Sequence, residues 1–362
     1  MSKINQDSKP IGEKNENEIA NLETLGLSQR QIIIRRFVGH KAAMFAVFTL
    51  ISIFVFVFTA IGINIGPQGF QIKIPGWWPY SITDIDPEGA IASTCNGGVT
   101  GCPTLDLVPG FFDGDGMQIG KHPFGTDIIG TDFLALVARG AQQSVMVMFI
   151  VGILGVTIGT IIGAIAGFFG GIVDAVLMRL TDMFLVTPTI IIGALIGFRY
   201  GNLGVGPLAL LLGFFAWMGL ARFVRTEFLT LREREFVDAA RVAGASTRRI
   251  IFKHILPNAV GVIIVSVTLL LSGAILLETA LSYLGFGVVP PDVSLGLLIN
   301  QYQDAFTTRP FLFWYPGFFI VSIALSINFI GDGLRDAFDP RQKRKITKKE
   351  KQNARAIARN QA

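Results

Sequence analysis

Charge is scarce in this chain. Only 16% of its 362 residues are Asp, Glu, Lys or Arg, against roughly 25% in a soluble globular protein. Histidine and cysteine are scarcer still, with 3 and 2 residues. His40, His122 and His254 fall in separate segments, which excludes a His-based proton relay and leaves no Cys/His cluster of metal-site spacing. There is no HExxH and no GxSxG, so intramembrane proteolysis finds no support. A phosphate-binding loop is also missing. The nearest stretch, GMQIGKHP at Gly116 to Pro123, has Asp115 where the first glycine belongs and His122 after Lys121, so the chain should not hydrolyse ATP. The first 41 residues are hydrophilic and hold no apolar signal-peptide core, which leaves the first span as the insertion signal.

What the chain has instead is apolar surface and glycine. Hydrophobic residues make up 51% and glycine numbers 41, with a mean hydropathy of +0.54. A bilayer is the solvent that such a composition suits. Long runs with few charges place six spans: Ala42 to Ile63, a second within Ser144 to Phe169, Met183 to Phe198 (with Pro188 inside it), Leu203 to Ala221, Ala259 to Leu284 and Pro310 to Gly331. The expected fold is therefore an all-α integral membrane protein. Its parts are an N-terminal segment 1–41, a first span 42–65, an outer segment 66–143, a core 144–334 with five spans, and a basic tail 335–362.

The net charge of +5 fits the Lys/Arg excess of cytoplasmic loops better than nucleic-acid binding, because the basic residues flank spans and are not interleaved with exposed aromatics. Arg30, Arg35, Arg36 and Lys41 precede span one, Arg222 to Lys253 carries eight basic residues between spans four and five, and the tail from Arg335 is basic. With six spans all three lie on one side, so both termini are expected in the cytoplasm of a bacterial plasma membrane. The acidic 66–143 segment then lies outside, with Cys95 and Cys102. Oxidation is permitted there, and we expect a disulfide closing the CNGGVTGC loop; the alternative is a pair of free thiols. Gly155, Gly159, Gly163 and Gly167 share one helical face, suited to close helix packing within this subunit or against a partner.

The stretch EFVDAARVAGASTRRIIFKHILPN, Glu235 to Asn258, has a composition of its own. Phe236, Ala239, Ala240 and Ala243 make a small apolar face at helical spacing, and Glu235 and Asp238 sit early, where the helix dipole favours them. Gly244 ends or bends that helix, Ser246 is placed to cap a second one, and Pro257 stands where span five begins. A short helix on the inner face of the membrane, its small apolar residues outward, suits a groove on a soluble partner.

DAA at Asp238 to Ala240, then Gly244, then Leu256 and Pro257, resembles the EAA loop of permease subunits in bacterial ABC importers. HILPN, HPFGTDIIGTD (His122 to Asp132), MRLTDMFLVTP (Met178 to Pro188) and LETALSYLGFGVVPP (Leu277 to Pro291) resemble the C-type permease of the dipeptide/oligopeptide branch. The chain has Asp238 where the family usually has Glu, Thr131 where the branch usually has Arg, and a longer stretch from Gly66 to Gln118. The resemblance implies the type I importer permease fold, with a coupling helix built from Glu235, Asp238, Ala239, Ala240, Gly244, Ala245 and Ser246. It also implies a second permease as heterodimer partner, one or two ATPase subunits holding ATP and magnesium, an extracytoplasmic solute-binding protein, surrounding membrane lipid and a peptide substrate. No cofactor is expected on this chain. Nickel or another small solute is the alternative cargo, and a self-contained secondary transporter the alternative machine, though no repeat between the halves supports it.

Arg179, Asp182 and Glu278 are the charges in or near spans, where charge is expensive and usually faces protein or water. Arg179 and Asp182, three apart, are expected to pair with each other, as a boundary salt bridge or as a gate. Glu278 is expected either to line the pathway or to hold a neighbouring helix.

Overall fold

The computed structural model describes residues 29–65, 72–86, 100–106 and 118–338. They are almost entirely helical. α1 (Gln29–Gly39) leads into α2 (Lys41–Ala60), whose first turn is capped by the ring of His40, accepting from Ala43 N–H at 3.1 Å. α2 ends before the expected limit of the first span. Gly62 turns the chain with φ +73° and residues beyond it form β1 (Ile63–Ile65), paired antiparallel with β2 (Ile72–Ile74). A second small hairpin joins β3 (Leu105–Asp106) to β4 (Gln118–Ile119). The all-α expectation holds for the bundle, and these two short hairpins lie between the first two spans.

α3 (Phe133–Phe169) begins well before Ser144. Its first turns carry Arg139, Gln142 and Gln143, which suppress hydropathy, yet they are satisfied internally. Gln142 Nε2 donates to the carbonyls of Val57 and Gly62 at 3.0 and 2.6 Å, so the polar groups cost little to bury. The third apolar run is two helices, α4 (Gly171–Leu185) and α5 (Thr189–Tyr200), bent by 72° at the break. Pro188 can donate no backbone hydrogen bond, and proline disfavours helical geometry in the residue before it. The ends of this pair meet opposite ends of the bundle: Gly170 lies beside the Arg232 side chain, whereas Gly197 and Gly201 abut the carbonyls of Phe286 and Gly287.

The fourth run is likewise divided, into α6 (Val205–Phe214) and α7 (Met218–Arg232). α7 carries Arg222, Arg225 and Arg232 inside a helix, so the connection to the next span is far shorter than the 222–258 stretch that charge alone suggests. The fifth run starts at Thr247 and not at Ala259. A wide π-helical turn, Ile250–Ile255, feeds directly into α9 (Leu256–Tyr283). Pro257, at the start of α9, cannot donate to the carbonyl one turn back, and a local widening of the helix accommodates that. α10 (Leu295–Tyr302) and α11 (Phe311–Phe338) complete the described residues. Among the described residues, five helical stretches are long and apolar enough to cross a membrane, with the bent α4–α5 pair as a sixth.

The glycine face of α3 packs inside this subunit. A Cβ on Gly159 would lie 2.9 Å from the carbonyl oxygen of Trp217, and one on Gly167 2.6 Å from that of Arg225. α7 thus rides directly on the backbone of α3, an approach only small residues permit.

Candidate functional site

The most distinctive surface lies where α7 gives way to α9. Arg234, in extended conformation, precedes α8 (Glu235–Val242). Glu235 and Asp238 occupy its first turn and Arg241 its last, the polarity the helix dipole favours. Arg241 Nη1 donates to Asp238 Oδ1 at 3.0 Å. Val237 is fully buried and Ala240 nearly so, in a cluster with Phe228, Ile250 and Ile255. That cluster seats α8 on the end of the bundle.

α8 closes with a left-handed glycine. Gly244 has φ +76°, its N–H donates to Arg241 O at 2.9 Å, and Ala245 N–H reaches back to Ala240 O at 3.0 Å. This is the Schellman closure, in which the residue in the left-handed region is usually glycine. Ser246 stands at the start of the next helical turn, but its side chain makes no capping bond there.

The expected apolar face is therefore split. Ala240 turns inward with Val237, while Phe236, Ala239, Val242 and Ala243 turn outward. Val242 is 91% exposed and Phe252, on the following turn, 64%. Sequence reasoning omitted Val237 and Val242. The signal was present, since Val242 falls three residues after Ala239.

Asp182 does not pair with Arg179. Its carboxylate accepts from Arg222 of α7, and Asp174 holds Arg225 in a two-pronged pair, with Nη2 to Oδ2 at 2.6 Å. Side chains on α4 reach across to α7 because the helices lie side by side, a neighbour relation that spacing along one helix cannot show. Arg232 Nη1 donates to the carbonyls of Gly167 and Phe168 at 3.3 and 3.1 Å, capping the end of α3.

Glu278 is placed far from that ion-pair group, near the other end of α9. It is 1% exposed. Ser282 Oγ donates to its Oε1 at 2.7 Å and accepts from Val288 N–H at 3.0 Å, and the hydroxyls of Ser144 and Ser294 also face it. This cluster joins α3, α9 and the N-terminus of α10. Glu278→Ala strands the Ser282 hydroxyl and opens a cavity, and should lower stability by about 2–4 kcal/mol. Glu278→Gln keeps the acceptor and should lose far less. Thermal unfolding in detergent reads the difference.

At the same end, the HPFGTDIIGTD stretch forms an anchored turn. Asp127 Oδ1 accepts from the N–H groups of Ile129 and Thr131 at 2.9 and 2.8 Å, and its Oδ2 from Tyr302 Oη at 3.1 Å. Burial, with the adjacent carboxylate, pushes the Tyr302 phenol well above its ordinary range, so it remains a donor. Asp132 caps α3 through Ala135 N–H at 2.7 Å and meets His122 Nδ1 at 2.7 Å. Cys102 is disulfide-bonded; Cys95, the chain's other cysteine, lies outside the described residues.

Comparison with known proteins gives this arrangement its context. Residues 159–344 match the family described as binding-protein-dependent transport system inner membrane component. The oligopeptide transport system permease protein OppC of Mycobacterium tuberculosis is 37% identical over 314 residues, 86% of this chain and 95% of that protein. OppC of Haemophilus influenzae is 34% identical over 340 residues, 94% of this chain and 97% of that protein. Among solved structures, the MetNI methionine ABC transporter in an inward-facing conformation aligns with a TM-score of 0.47 at 22% identity, covering 56% of this chain and 96% of that chain. The family assignment rests on the sequence matches. The chain is a multi-pass inner-membrane protein, and it belongs to the family of binding-protein-dependent transport system inner membrane components.

Proposed function

We propose that this chain is one of two permease subunits of an ATP-driven peptide importer, and that α8 is the element through which it is driven. The observation that carries this reading is the exposed face of Phe236, Ala239, Val242 and Ala243, on a helix whose opposite face is locked to the bundle by Val237 and Ala240. Such a surface suits a cleft on a soluble partner. That partner is an ATPase subunit binding ATP and magnesium; this chain carries no phosphate-binding loop and serves as the pathway. Glu235, Asp238, Ala245 and Ser246 border the contact, and Gly244 sets its geometry.

The α4–α5 pair runs from one end of the bundle to the other, which supports six crossings. The N-terminal segment before residue 41, the α8 region and the tail after residue 335 then share one side. The Lys/Arg excess assigns that side to the cytoplasm. The hairpins, the Asp127 turn and Cys102 lie outside, where a solute-binding protein delivers cargo to the pathway enclosed with the second permease. Peptide is the cargo we propose because the OppC proteins, similar along nearly their whole length, are named for oligopeptide transport. The secondary-transporter alternative does not agree with the family.

The test is uptake of labelled oligopeptides into proteoliposomes holding this chain, its partner permease, the ATPase subunits and the binding protein. ATP-dependent peptide accumulation is expected. ATP-dependent uptake of nickel or another small solute in its place would move the cargo class while leaving the importer reading intact.

A further inference from the structure

Two neighbouring spans are interrupted side by side, α4–α5 with a 72° bend and α6–α7 by a short break within one continuing span. The α4–α5 break at Val186–Pro188 and the α6–α7 break at Phe215–Trp217 lie together, with the rings of Phe184 and Phe215 in edge contact at 5.9 Å. Phe184 and Phe215 both pack on the small cluster of Trp217, Met218 and Ala221. On the α8 side of this level lie α4 and α7, and on the other side α5 and α6. Helix breaks are where a bundle bends at least cost.

The halves differ in how they are held. α4 and α7 are joined by Asp174–Arg225 and Asp182–Arg222. Asp174–Arg225 is partly buried and Asp182–Arg222 is exposed on the outside of this chain; charges within a span are expensive unless matched, so parting either pair is disfavoured. Among the described residues no ion pair ties α5 to α6; α5 meets the far end of α9 and the turn after it, with Gly193 against the Leu281 side chain and Gly197 against the Phe286 carbonyl.

We infer that Asp174, Arg225, Asp182 and Arg222 are positioning residues that bind α4 and α7 into one body, which turns as a unit about the paired breaks when α8 is displaced. α8 follows α7 after only Glu233 and Arg234, and Arg232 fastens α7 to the end of α3, so a push on α8 arrives at α7 first. Without the two pairs, α4 is joined to α7 only through the end of α3, so the movement of α7 is passed on less fully and ATP is hydrolysed with less movement of cargo. This inference rests on the importer reading above.

The experiment uses the complete reconstituted complex and measures cargo taken up per ATP hydrolysed. Asp174→Asn and Asp182→Asn together should lower that ratio about tenfold, within the usual range of coupling between sites, with ATP hydrolysis retained. The charge exchange Asp174→Arg with Arg225→Asp should recover more of the ratio than either single change. Where a variant fails to assemble, spin labels in the otherwise unaltered chain decide. Labels at Leu180→Cys and Phe223→Cys should keep their separation between the nucleotide-free and ATP-trapped states, whereas Leu180→Cys and Leu195→Cys should change theirs. An undiminished ratio in the double Asn variant, or a Leu180–Phe223 distance that shifts as much as Leu180–Leu195, would overturn the struts alone. An unaltered complex with no ATP-dependent uptake would overturn the importer reading and the struts with it.

Discussion

Gly244→Pro should abolish transport while the protein still inserts and accumulates in the membrane. Proline fixes φ near −65° and has no N–H, whereas Gly244 sits at φ +76° and donates to Arg241 O. The substitution removes both the left-handed turn and one closing hydrogen bond, so α8 can no longer end where it does. The spans and the clusters packed between them stay intact. Gly244→Ala isolates the conformational part: a Cβ there meets nothing within 4 Å, so only the left-handed penalty of about 1–2 kcal/mol applies, and partial uptake should remain. Asp238→Arg should also silence transport, because it reverses charge in the first turn of α8 and places two arginines one turn apart with Arg241. Uptake assays beside quantitative membrane immunoblots separate these outcomes from loss of the protein.

The second large effect is on stability. Gly163→Leu should prevent a stable permease from forming. A Cβ at Gly163 would fall inside contact distance of the Ala221 carbonyl and 2.8 Å from the Val224 Cβ, and the rest of a leucine would have to part α3 from α7. Overpacking costs about 1–3 kcal/mol where a core can adjust; here the obstacle is the backbone of the facing helix, so the loss should lie at or above the top of that range. Gly206→Ala, at a position with nothing within 4 Å of an added Cβ, is the matched control and should unfold like the parent in detergent.

Much of this was legible in the sequence. The five long crossings follow from apolar length, and the bounds of α8 follow from its acidic first turn and Gly244. The glycine face of α3 was visible at four-residue spacing, and its partner α7 lies in the same chain. Other features were hidden for physical reasons. Gln142 at the start of α3 is satisfied by carbonyls from α2 and its following turn, and Gln143 by Asp292 and Val293, which no hydropathy window registers. Pro188 was visible, but the placing of its break beside the one at Phe215–Trp217 depends on packing between spans. Spacing along one helix pairs Asp182 with Arg179, yet its partner stands 40 residues away. The inward turn of Ala240 depends on Phe228, Ile250 and Ile255 closing over one side of α8, which leaves Val242 as the most exposed large apolar side chain of that helix.

The central claim is that the outward face of α8 meets an ATPase subunit. It is tested most directly by placing a photo-crosslinking amino acid at Val242 and irradiating native membranes that retain uptake. The account predicts an adduct with an ATP-binding subunit, and none from the same label at Leu180 on α4. Full uptake with no ATPase adduct from position 242 would contradict it.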